Sequence, residues 1–405
     1  MYKKVATHSN IYHNAFMLTY QTSGESHGKC IITTIFNLPY NTPCNIEFIN
    51  YELRRRQRGY GRSERMRIEN DTVAVLSGIR NGKSTGGPIT LMIKNRSSKT
   101  KPKGLSKPTP GHADLAGALK LGICNIKDIR ERASGRETVG RVAAGSLANY
   151  VLSLFGIYVL GYVLEIGGYP TLRHPQGKSN IRHQISKASI SKLKDERDKS
   201  VFYCPNSKMD TFFKSKIDAI TKDGNTVGGT FEVRAFNVPP GLGSFTSFEK
   251  KLDANIAAAL MSIQTIKAVE IGAGFQAGKM TGREFHDEII LGKDKFIRRA
   301  SNNAGGIEGG MSNGEPIIVR AISKPIPTLR KPIRTIDLKS KREVLSPYQR
   351  ADILNLPALS VIGEAVVGFE IAKGFLEKFG GDTFDEVKER FKTYKNKLKK
   401  FSWHC

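Results

Sequence analysis

From Val142 to Leu164 the chain carries no charged residue, a length that could cross a bilayer. Gly145, Ser146, Asn149, Ser153, Gly156 and Gly161 interrupt the run, and Gly156 separates two periodicities. Before it, Val139, Val142, Ala143, Leu147, Tyr150 and Leu154 recur at three or four residues, which predicts a helix over Arg136–Phe155. After it, Ile157–Ile166 has the β-branched and aromatic content of a strand. A buried helix feeding a buried strand is favoured over a membrane span, and it sets a core in the middle of the chain.

The remaining pattern alternates between the two kinds of element. Strands are predicted at Phe16–Tyr20, Ile31–Phe36, Thr72–Leu76, Ile89–Ile93, Thr226–Asn237, Ala268–Ile271 and Pro316–Ile322. Helices are predicted from near Ile46, over Phe248–Ser262 and from Pro357 onward, where Val361, Ile362, Ala365, Val366, Phe369 and Ala372 form one apolar face. Pro170–Asp223 is lysine-rich and weakly periodic and is read as peripheral; Arg390–Lys400 is read as a solvated basic tail. Residues 1–17 lack the apolar core of a signal peptide and are expected to be a flexible extension or an organellar presequence. Lys and Arg outnumber Asp and Glu 64 to 37, so anionic partners are favoured. Five widely spaced cysteines without a C-x-x-C pair fit a reducing compartment and no zinc site.

Two histidines stand in constrained turns. His27 lies in Ser23-Gly24-Glu25-Ser26-His27-Gly28, where the glycines allow positive φ or close approach to a ligand. His112 follows Pro108-Thr109-Pro110-Gly111, with Asp114 the expected cap of a helix. Imidazoles exchange protons near neutral pH, so both are candidates for acid–base work, a plain surface turn being the alternative. His8, His13, His174, His183, His286 and His404 lack such a setting and are read as surface residues. Arginines crowd Leu53–Arg67, broken by Gly59 and Gly61; they can converge on phosphate or carboxylate, or, with Tyr60, on RNA. Glu131-Arg132-Ala133-Ser134-Gly135-Arg136-Glu137-Thr138 opens the long helix, either as a cap or as an anion site. Residues 301–314 hold five glycines, enough to press amides against a flat ring or phosphate, yet form neither a Walker loop nor a dinucleotide fingerprint.

Taken in order, Gly-Glu-Ser-His-Gly at 24–28, the Arg/Gly/Tyr segment at 54–67, Pro-Gly-His-Ala-Asp at 110–114, Glu-Arg-Ala-Ser-Gly-Arg-Glu at 131–137 and the glycine loop at 304–314 resemble chorismate synthase, from about Leu18 to Phe379. The resemblance implies an α+β fold, a β-α-β sandwich with helices layered between antiparallel sheets, as one catalytic domain over 18–385, followed by a basic tail at 386–405. It implies reduced-FMN-dependent 1,4-elimination of phosphate from 5-enolpyruvylshikimate 3-phosphate to give chorismate, by a homotetramer that binds neither nucleic acid nor membrane. NADPH is the implied reductant, used in trans or through an intrinsic flavin reductase activity. The implied location is the cytoplasm, or a plastid or other organelle if the extension is a presequence.

The same resemblance implies catalytic roles for His27, His112 and Asp352. It places substrate or reductant contacts on Ser26, Arg56, Arg62, Arg65, Arg136 and Arg350. Flavin contacts fall on Arg132, Ala133, Ser134, Gln264, Thr265, Gly309, Lys324, Pro325, Ile326, Pro327, Thr328 and Arg350. The chain departs from the family pattern at Ala133-Ser134-Gly135, at Gln264-Thr265 and at Ala351, none of which removes an ionisable group with an implied role.

Overall fold

The computed structural model describes residues 17–62, 70–96, 104–171, 187–292, 297–347 and 352–400. Apart from Met17, the expected N-terminal extension therefore lies outside the described residues. The first sheet contains β1 (Thr19–Ser23), β2 (Cys30–Phe36), β3 (Val73–Ser77) and β4 (Ile89–Lys94), in the spatial order β1-β2-β4-β3 with every pairing antiparallel. Alternation decides which way it faces. Ile31, Thr33 and Ile35 of β2 and Ile89, Leu91 and Ile93 of β4 point inward and are buried.

The second sheet is also antiparallel. It contains β5 (Tyr158–Ile166), β6 (Tyr169–Pro170), β7 (Gly229–Phe236), β8 (Ile266–Ile271) and β9 (Ile317–Ser323), in the order β8-β9-β7-β5-β6. Between the sheets run α1 (Ile46–Gln57) and α4 (Thr138–Leu154), which is preceded by the short α2 (Asp114–Leu121) and α3 (Lys127–Arg132). The uncharged run is thus α4 and β5, joined through Gly156 at φ 79°. Among the described residues no helix is long and apolar enough to cross a membrane.

Three more helices, α5 (Lys187–Lys199), α6 (Asp210–Lys222) and α7 (Leu252–Met261), precede the long α8 (Leu356–Phe379) and the last helix α9 (Phe384–Lys400). Glycines let the central layer close. A Cβ on Gly140 of α4 would lie 2.9 Å from Thr22 of the first sheet, and one on Gly363 of α8 would lie 2.4 Å from Phe231 of the second. Where the two helices cross, a Cβ on Gly145 would sit 2.2 Å from the Ala365 carbonyl oxygen, which is backbone and cannot yield. We expect Gly145→Ala to cost about 1–3 kcal/mol of stability despite the ~1 kcal/mol that alanine adds to helix propensity, read as a lowered thermal midpoint.

Two expectations need correction. The described part of Pro170–Asp223 is not merely peripheral: α5 covers the outer face of β5 and β7 with Ile190 and Leu193, and Arg197, Phe202 and Phe213 are fully buried. Its lysines hide the period because they occupy only the outer faces. The basic tail is helical in α9, and its Val387 and Phe391 are buried against α8 while its lysines remain outward. Unforeseen hairpins at Ile289–Leu291 with Ile297–Arg299 and at Arg334–Asp337 with Arg342–Leu345 complete the fold.

Candidate active site

The β1–β2 turn needs glycine at position 24, where φ is 107° and a Cβ would meet the Cys30 carbonyl oxygen at 2.3 Å. The turn is held from α3. The His27 amide donates to Glu131 Oε2 (2.6 Å) and its Nδ1–H donates to Glu131 Oε1 (2.9 Å), so a buried carboxylate fixes both backbone and ring. The Ser26 amide donates to the Glu131 carbonyl, and Ser134 Oγ donates to Ser26 Oγ at 3.3 Å. Asn95, at the end of β4, donates to the Glu25 and Gly28 carbonyls and accepts from Arg136 Nε at 2.8 Å.

Arg136 opens onto a buried cationic basin. Its guanidinium pairs with Asp71 at 2.7 Å, and Arg56, from the last turn of α1, approaches the same carboxylate at 3.5 Å. Arg56 also donates to Thr138 Oγ1 (3.1 Å) and the Gly135 carbonyl (3.0 Å). Arg62 pairs with Asp352 at 2.7 Å. Burial, opposed by Asp71 and Asp352 and reinforced by Arg136 and Arg62, brings the Arg56 guanidinium down to about 10. Arg56 NH1 and Arg62 Nε are buried and donate no hydrogen bond among the described residues. Three guanidiniums thus share two carboxylates, an arrangement that favours an incoming anion. Arg55 and Arg56 are both buried, so this part of the basic segment is not the solvated patch that RNA binding would use.

The second histidine turn is built likewise. His112 Nδ1–H donates to Asp114 Oδ1 at 2.6 Å, and Asp114 also accepts from the Thr109 amide and from Arg130. Asp114 is not the side-chain cap expected of it; it lies inside the first turn of α2, and its carboxylate is fully buried as the holder of His112. Burial alone would raise this carboxyl, but the hydrogen bonds from His112, Arg130 and Thr109 outweigh it and bring it to about 2. A depressed acid stabilises the fold above its unfolded value near 4 and loses that contribution as pH falls through about 2. The thermal-midpoint gap between wild type and Asp114→Asn is therefore expected in full at pH 5 and to narrow as pH approaches 2.

Lys324 donates its Nζ to the Gly111 carbonyl, and Thr226 Oγ1 donates to the Ile326 carbonyl, which lays the 324–328 run beside the His112 turn. A Cβ on Gly111 would touch Pro327 at 3.4 Å. The Lys324 amide bonds the carbonyl of Thr265, a β-branched residue strained at φ 75°. Thr265 Oγ1 accepts from Ser323 and from Asn355. Gln264 donates to Glu137 at 3.3 Å, leaving its buried Oε1 without a donor among the described residues. Glu137 in turn accepts from Thr22, to which Arg132 also donates. Ala133 ends α3, its amide on the Ile129 carbonyl. These bonds join the two histidine turns, the arginine basin and residues 264–265 and 324–328. They do not reach Gly309, at the tip of a hairpin that packs on α7, and Arg65 and Arg350 lie outside the described residues.

Sequence reasoning missed the carboxylates that hold the site. Glu131 and Glu137 lie within a motif that reads as a helix start, and Asp71, like the carboxamide of Asn95, gives no local signal, since their partners stand far along the chain.

Two histidines, each clamped by a buried carboxylate, stand beside an arginine basin within an α+β sandwich, an arrangement suited to an enzyme that acts on a small molecule. The family model described as chorismate synthase matches residues 18–376. Chorismate synthase of Aquifex aeolicus is 44% identical over 397 residues, covering 95% of this chain and 99% of its own, and that of Desulforudis audaxviator is 42% identical over 396, covering 95% and 98%. A solved chorismate synthase structure superposes with a TM-score of 0.78 at 40% identity, covering 95% of this chain and 99% of its own. The chain belongs to the chorismate synthase family, and it is a carbon–oxygen lyase of the shikimate pathway.

Proposed function

We propose that the elimination is reduced-FMN-dependent, with the substrate seated on Arg56, Arg62 and Arg136 and the flavin beside residues 264–265 and 324–328. The basin's unbalanced positive charge supports this reading most, because the substrate brings a phosphate and two carboxylates to it. The other residues fit a flavin: the buried Gln264 Oε1 suits a ring N–H, and Lys324, whose pKa burial and then Lys267 lower, faces the same region as the Gly111 turn.

Reduced FMN, when bound, supplies an electron-rich ring and a nitrogen base to the reaction. In this reading the chain's own part is protonation and positioning. His27, its Nδ1–H committed to Glu131, delivers a proton to the departing phosphate. His112 stands at the flavin's pyrimidine end, held by Asp114, and Asp352, oriented by Arg62, assists removal of the ring proton. Ser26, Arg65 and Arg350 complete the substrate contacts. Arg132, Ala133, Ser134, Gly309 and Arg350 complete those to flavin. The carboxylate partners, and a basin lined by buried side chains, exclude water from the charge that develops. NADPH serves as the reductant, the enzyme works as a homotetramer, and its compartment is the cytoplasm.

The deciding experiment is anaerobic turnover of 5-enolpyruvylshikimate 3-phosphate with chemically reduced FMN, following phosphate and chorismate together. Equal yields of both are expected. Folded protein that releases neither, or that works equally well without flavin, overturns the proposal.

A further inference from the structure

At the last turn of α1, lined by Arg55 and not by Arg56, lies a concave site of about 290 Å³. It has aromatic surface from Tyr51, Tyr60 and Tyr203 and cationic groups from Arg55, Arg58 and Lys199. The floor is a buried ion cluster. Arg55 donates both terminal nitrogens to Glu364 of α8, which also takes Arg197 of α5 at 3.0 Å and the Gly161 amide of β5 at 2.9 Å.

Arg55 keeps a donor that the floor does not use. Arg55 is 2% exposed, yet its buried Nε has no hydrogen-bond partner among the described residues and lies 3.9 Å from Asp198. Asp198 is itself engaged by Arg197 at 2.8 Å and by the Tyr51 hydroxyl, so this lining carboxylate is already paired. Arg58 is exposed at the rim, and the Arg55 guanidinium lies 5.6 Å from the Tyr203 ring centroid. An unmatched buried N–H, a second arginine and three phenol rings match one ligand chemistry: a small, single-ring aromatic carboxylate.

We propose that this cavity is a binding site for a small aromatic carboxylate, separate from the arginine basin, and that its occupancy is felt at Arg62. The route is short and covalent. Tyr60 of the cavity wall bonds Val201 through its amide, Gly61 accepts from the Ile353 amide at 2.8 Å, and the next residue, Arg62, holds Asp352. Gly59 and Gly61 are pressed against the start of α8 and the residues just before it, where Cβ atoms would lie 2.7 Å from Pro357 and 3.1 Å from Leu354. A ligand that shifts Tyr60 has little slack to lose before Arg62 moves.

The test is calorimetric titration of the full chain with 4-hydroxybenzoate and, separately, with inorganic phosphate. The expected result is saturable 4-hydroxybenzoate binding that weakens at least tenfold in both Arg58→Gln and Lys199→Gln, with phosphate binding there more weakly. Absence of binding at millimolar concentration, unchanged affinity in both variants, or equal binding of phosphate overturns the site. The second arm rests on the proposed chemistry: saturating 4-hydroxybenzoate should change KM for the shikimate substrate at least twofold in wild type and leave it unchanged in Arg58→Gln. An equal change in both overturns the coupling, because it marks competition in the basin, and no change in wild type overturns it as well. The binding arm reads the cavity whether or not the flavin chemistry holds.

Discussion

Replacing His27 by alanine lowers turnover by about 10²–10⁴-fold, measured anaerobically with chemically reduced FMN, and leaves the fold intact. The size follows from the role, since loss of a positioned proton donor to a leaving phosphate forfeits general acid catalysis. The intact fold follows from the turn's construction. The residue 27 amide still donates to Glu131 Oε2, so the carboxylate keeps a partner after the ring is gone and Gly24 keeps its contact with the Cys30 strand. His112→Ala should fall in the same range with its turn equally preserved, because Asp114 retains Thr109 and Arg130. His286→Ala, exposed and outside both turns, serves as the control and should turn over at the wild-type rate. Wild-type rates in both His27→Ala and His112→Ala, with unchanged circular dichroism, would remove the two histidines from the chemistry.

What the sequence made legible was whatever is written locally. The α4–β5 pair follows from two periodicities meeting at Gly156, and the strands β2 and β4 from alternation that burial then obeys. The histidine turns were visible because glycine and proline mark backbone that must bend sharply. The groups that make those histidines useful were not visible, because a carboxylate's partner is chosen by the fold. Glu131 meets His27 across 104 positions, Asp71 meets Arg136 across 65, and Arg55 meets Glu364 across 309. Nothing in the composition around Asp71 separates it from an ordinary loop acid, and a lysine-rich surface likewise concealed that Arg197 of α5 is wholly buried. Burial of a charge is a property of pairs, and pairs distant in sequence leave no periodicity.

Arg56→Ala is expected to lower kcat/KM by about 10²–10³, equivalent to roughly 3–4 kcal/mol, the range for deleting one member of a buried charged set. Most of this should appear as a raised KM, since the guanidinium is bonded to the chain on one side and, in the proposed reading, to substrate oxygens on the other. Asp71 is not left alone by the change, because Arg136 still holds it at 2.7 Å; folding should therefore suffer less than binding. Arg56→Lys should recover little. One ammonium cannot reproduce the fork that reaches Thr138 Oγ1 and the Gly135 carbonyl while facing Asp71, and a point charge would be drawn to one of them. The neighbouring Arg54 is only partly buried on the same turn of α1, and Arg54→Ala should keep kcat/KM within threefold. A comparable loss in both alanine variants would mean that helix charge, and not the basin, attracts the substrate. A normal Arg56→Ala enzyme would mean that Arg62 and Arg136 suffice, and the burial that lowers the Arg56 pKa would have no catalytic consequence.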